Sequence, residues 1–133
     1  MGARIFVGIF GLFTIPYGLF CFLRPAFLEE FAGVAATSNT GTVELRAMYG
    51  GLQTAFGALA LLGALRPAFV RPALLTTAFL CAGLGLFRLL GTMAAAEISS
   101  YTAGGLVFEL GATAIAVVLL RSLAETERVL TTT

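Results

Sequence analysis

Three ionisable side chains, Arg46, Arg88 and Glu109, stand inside otherwise apolar stretches, and with Tyr17, Tyr49 and Gln53 they are the groups whose types could do chemistry. A charge at bilayer depth costs about 2.5 to 3.5 kcal/mol on insertion scales, so it persists where it pairs or binds something. Arg46, Tyr49 and Gln53 are spaced i, i+3, i+7 and share one helix face, with Gly50 and Gly57 on the same stripe. The stripe through Arg88 collects Thr77, Cys81 and Thr92, and the stripe through Glu109 collects Thr102, Gly105 and Thr113. Thr14, Tyr17 and Cys21 share a face earlier in the chain. Arginine recognises a carboxylate or phosphate through its planar fork. If the chain is an enzyme, Glu109 is the group to pass protons, while Arg88 or Tyr49 steadies developing negative charge.

Other chemistries are excluded by what is missing. There is no His, Lys, Asp or Trp, and the ionic inventory is eight Arg and seven Glu. Cys21 and Cys81 are far apart, both in apolar runs, and read as free thiols. No ligand set for a metal is present, and no cofactor is expected. The arginines fall singly and the net charge is +1, which gives no electrostatic case for nucleic acid.

These side chains need elements to hold them, and the composition says which solvent those elements meet. With 59% hydrophobic residues, 11% charged and a mean hydropathy of +0.98, the 133-residue chain lies outside the soluble globular range. Apolar runs at about 5–23, 45–65, 73–96 and 101–120 are each long enough to cross hydrocarbon at 1.5 Å per residue. The first is longer than a signal-peptide core and is followed by three more, so it reads as a span. The expectation is an all-α, single-domain bundle of four transmembrane helices.

Arg4, Arg66, Arg71, Arg121 and Arg128 flank the spans on one side, and Arg24 lies on the other. The positive-inside rule then puts both termini in the cytoplasm. The 24–44 connection is expected outside, with a short interfacial helix over 25–31 that points Phe27, Leu28 and Phe31 at the membrane, and then a polar loop over 37–42. Pro16 is expected to bend the first span. The pentapeptide Leu-Arg-Pro-Ala-Phe appears at 23–27 and 65–69, each time ending a span, where a snorkelling Arg and a helix-stopping Pro are expected on physical grounds.

In this arrangement Gln53, Arg88 and Glu109 sit at matching depths, roughly 12 to 13 Å below the outer surface, with Arg46 shallower. Turning the four polar, small-residue faces inward makes an outward-leaning pocket. Two arginines facing one deep carboxylate leave a positive surplus, which an anionic head group such as a fatty acid carboxylate or lipid phosphate would balance. The preferred reading is therefore a binding site for a lipid or lipophilic small molecule at Arg46, Tyr49, Gln53, Arg88, Glu109 and Tyr17. Two alternatives stand beside it. A closed Arg88 to Glu109 pair would make these residues helix glue and favour an accessory subunit of a larger membrane complex, whereas an unpaired Glu109 would favour a small isomerase or hydrolase. A homo-oligomer fits as well.

The stretch Glu-Leu-Arg-Ala-Met-Tyr-Gly-Gly-Leu-Gln over 44–53, with a lone Arg in the third span and a lone Glu in the fourth, resembles an uncharacterised bacterial family of short four-helix membrane proteins. The resemblance implies a four-helix bundle in the bacterial inner membrane. It marks Arg46, Tyr49, Gly50 and Gly51 as motif positions, and it brings no activity with it.

Overall fold

An apolar run that crosses hydrocarbon must satisfy its backbone internally, and here each such run is helical. The computed structural model describes residues 1–132. Its elements are α1 (Gly2–Leu23), α2 (Phe27–Ala32), α3 (Asn39–Leu45), a π-helical segment (Arg46–Gly51), α4 (Leu52–Leu65), a 3-10 turn (Pro67–Phe69), α5 (Val70–Ala95) and α6 (Ser100–Thr132). Four helices are long and apolar enough to cross a membrane: α1, the continuous run Asn39–Leu65, Pro67–Ala95, and Ser100–Thr126 within α6. Only 22% to 33% of each span's most apolar stretch is buried within the chain, so the remaining apolar surface calls for lipid as solvent.

The second span starts at Asn39 instead of residue 45. Ser38, in extended conformation, accepts a hydrogen bond from the Gly41 N–H at 3.0 Å and caps the helix, so most of the expected polar loop becomes its first turn. At the other end of the chain, helix α6 runs on past the apolar run ending at residue 120, as far as Thr132.

Both copies of the repeated pentapeptide fold alike. Arg24 and Arg66 close their helices with N–H bonds to Phe20 and Leu62, each 2.8 Å, and the Phe two residues after the proline bonds back to the arginine carbonyl, at 3.1 and 3.0 Å. Proline thus stops each span and starts a tight turn. After the first copy, α2 buries Leu28, sets the Phe27 ring between Phe20 and Phe31, and leaves Phe31 exposed. It ends at Gly33, whose positive φ of 66° suits glycine.

Sequence neighbours are neighbours in space. The first span packs on the second, α4 on α5 and α5 on α6, while α1 and α6 touch lightly. Close approach in the first pair is a glycine effect. A Cβ on Gly11 would lie 2.7 Å from the Gly57 carbonyl and 2.9 Å from the Leu61 nitrogen, and one on Gly18 would lie 2.8 Å from the Gly50 carbonyl. In lipid such contacts supply the van der Waals attraction that the hydrophobic effect cannot. Val7, Phe10, Phe56, Ala60, Leu74 and Ala116 fill the centre. Arg4 completes the pairing by donating through Nε to the Ala64 carbonyl at 2.8 Å, satisfying an end carbonyl of α4. Pro16 lies within α1.

Gly11→Val therefore forces α1 from α4 and is expected to cost at least about 2 kcal/mol. Gly83→Ala, at a position with open space around it, is expected to be neutral or slightly stabilising. Equilibrium unfolding of both variants in detergent checks the contrast.

Candidate functional site

The two deepest charges find each other. Arg88, on α5, donates through Nε to Glu109 Oε2 at 2.9 Å and through Nη2 to Oε1 at 2.6 Å, a two-toothed fork across to α6. The Glu109 side chain is 6% exposed and that of Arg88 28%. Glycines make the room: a Cβ on Gly105 would sit 3.0 Å from Arg88 Nε, and one on Gly85 would sit 3.4 Å from Glu109 Cβ. Each helix thus places a glycine one turn before its charge, where the partner's side chain must pass.

Around this pair the phenols gather. Tyr101 and Tyr49 lie within electrostatic reach of Arg88. The Tyr17 hydroxyl, from α1, is 3.5 Å from that of Tyr101, on α6, and the two form a hydrogen-bonding pair across the lightly packed seam. Cys21 sits beside Tyr17, and Cys81 near Glu109; both thiols are buried and free. Among the described residues no group of His, Cys, Asp or Glu could hold a metal ion.

Not every expected member joins. Arg46 is exposed, with its guanidinium 5.9 Å from the centre of the Phe22 ring on α1. The physical reason is the π-helical segment, which spans the motif Arg46–Gly51. The Leu52 N–H reaches back five residues to the Ala47 carbonyl, so the ordinary 3.6-residue stripe that would align Arg46 with Tyr49 and Gln53 is broken. Tyr49 and Gln53 are half-buried.

The threonines of the polar stripes turn back on their own helices: Thr77 to Ala73, Thr92 to Arg88, Thr113 to Glu109 and Thr14 to Phe10, all carbonyl acceptors at 2.8 to 2.9 Å. Their hydroxyls are satisfied locally.

Below the tyrosine pair the seam between α1 and α6 opens into an apolar groove of about 300 Å³ lined by Phe6, Phe10, Phe13, Phe108, Gly111 and Ile115, among others. Phe10 and Phe108 stack across its floor with centroids 5.5 Å apart. Tyr17 follows Phe13 by one turn on α1, and Tyr101 precedes Phe108 by two turns on α6, so the hydroxyl pair lies beyond the same end of the groove on both helices. Tyr101 escaped the sequence reading because it stands at a span boundary. Its seven-residue spacing to Phe108 was the available signal.

The chain belongs to the family described as Domain of unknown function (DUF4345), whose profile matches residues 2–120. No curated protein and no solved structure matches it.

Glu109→Gln or Arg88→Met alone strands the other charge among apolar helices. The expected cost is about 3 kcal/mol, at the lower end for buried pairs because Arg88 is partly exposed. Replacing both with Met is expected to recover most of that loss, as measured by unfolding in detergent.

Proposed function

We propose that this member of an uncharacterised membrane family binds a single-chain amphiphile in the seam between its first and fourth spans. The tail lies along the phenylalanine groove and the head meets Tyr17 and Tyr101. The observation that carries the reading is that an apolar groove of about 300 Å³, at the lower end for ligand sites, lies between the same two helices whose tyrosine hydroxyls pair one turn beyond Phe13. An apolar body ending in a few convergent polar groups is what an amphiphile requires.

The closed fork between Arg88 and Glu109 weighs against catalysis, because a carboxylate already holding two charged N–H donors is a poor proton acceptor. It neutralises Arg88, and Arg46, which carries the remaining positive charge, is exposed over the Phe22 ring. The same closed pair favours a second reading, an accessory subunit docking a partner's helix in the same seam, which also draws on Gly104 and Gly111, facing open space on α6. Amphiphile binding is preferred because the hydroxyl pair serves a head group and does nothing for an apolar helix.

Gly111→Leu separates these readings from a merely structural groove, since Gly111 lines the groove and nothing lies within 4 Å of a Cβ built there, so a larger side chain starts into open space. The expected result is loss of the amphiphile retained through purification in mild detergent, read by native mass spectrometry, with an unchanged unfolding midpoint. Retention of the same amphiphile at the same level by the variant would contradict the proposal.

A further inference from the structure

The fork between Arg88 and Glu109 leaves part of the guanidinium unspent. Arginine carries five N–H donors, and Glu109 takes one from Nε and one from Nη2, so three remain. The carboxylate grips the edge formed by Nε and Nη2, which puts Nη1 on the far edge of the plane. Among the described residues Nη1 has no hydrogen-bond partner, and no buried side-chain nitrogen or oxygen lacks one, so Nη1 reaches the surface.

The surface that Arg88 helps to form is a notch in α5 of about 310 Å³, lined by Gly83, Leu84, Phe87 and Arg88. Gly83 opens it, since nothing lies within 4 Å of a Cβ built there. Leu84 and Phe87 are exposed, and Arg88 alone brings a polar side chain to the lining. None of these residues lines the groove between α1 and α6.

Depth and chemistry together choose the occupant. An N–H facing hydrocarbon needs an acceptor. Pro67–Ala95 is 29 residues long, about 43 Å, which matches a bilayer together with its head groups. Arg88 lies seven residues before Ala95, about 10 Å, whereas one head-group layer is about 6 Å thick. The guanidinium then stands a few ångströms below the level of the glycerol ester carbonyls. A second copy fits less well, because every exposed residue in the runs 5–23, 52–65, 73–96 and 101–120 is apolar and brings no side-chain oxygen.

We propose that the notch holds one acyl chain of a membrane glycerolipid, whose ester carbonyl accepts from Arg88 Nη1. The chain lies over Gly83 against Leu84 and Phe87, so the lipid is gripped by its carbonyl and not by its head group. This site is separate from the seam and does not depend on it.

The probes are dioleoyl phosphatidylcholine and its diether analogue, which keeps the chains and head group but lacks both carbonyl oxygens. Each is titrated onto the purified full chain in mild detergent and read as bound lipid by native mass spectrometry. The wild type is expected to bind the ester about tenfold more tightly, the effect of one hydrogen bond from a charged donor. Gly83→Leu, which fills the notch from a position with open space, is expected to remove the preference with an unchanged unfolding midpoint. Gly111→Leu, which fills the seam instead, is expected to keep it. Equal binding of ester and ether by the wild type overturns the proposal, and so does binding of neither. A preference that survives Gly83→Leu and is lost in Gly111→Leu places the carbonyl in the seam and overturns the notch.

Discussion

An arginine and a glutamate can share the depth of a bilayer only by holding each other, and the fork between Arg88 and Glu109 sets what the rest of this bundle can do. It ties α5 to α6 at one register, because the fork has a fixed shape and the apolar run of each helix, 73–96 and 101–120, holds one charge. It demands small residues where the long side chains cross, which Gly85 and Gly105 supply. It also consumes both charges, so what remains near it is a set of neutral phenols.

The other half of the bundle is joined by different means. The first two spans approach through Gly11, Gly18, Gly50 and Gly57, with backbone nearly touching backbone, and Arg4 closes the far end on the last carbonyls of α4. Two well-joined pairs meet through α4 and α5, and the remaining seam, between α1 and α6, stays open over its aromatic groove. A lipid tail is the natural filling for such a seam. The polar end of that seam, where Tyr17 meets Tyr101, is what distinguishes it from the rest of the lipid-facing surface.

The four spans were legible in the sequence because apolar length against hydrocarbon thickness is a one-dimensional constraint, and the single charges and prolines mark its limits. The common depth of Arg88 and Glu109 was legible too, from their distances to the helix ends, but a closed pair and an open, ligand-holding pocket fitted that depth equally well. The exposure of Arg46 was not legible because helical periodicity assumes a regular α-helix, and the Arg46–Gly51 motif is where the backbone departs from it. Thr77, Thr92 and Thr113 stand on the polar stripes, but each spends its hydroxyl on its own backbone, a choice that spacing does not reveal. The groove needed knowledge of which helices fail to close on each other, and no pattern within one helix contains that.

The most direct test is an experimental structure of the protein in a lipid nanodisc, read for density in the seam between α1 and α6. The account predicts elongated density running from Ile115 past Phe108 and ending at the Tyr17 and Tyr101 hydroxyls, with the Arg88 to Glu109 fork closed beside it. A seam filled by the helix of a second copy, or closed with α1 against α6 so that no tail fits, would contradict it.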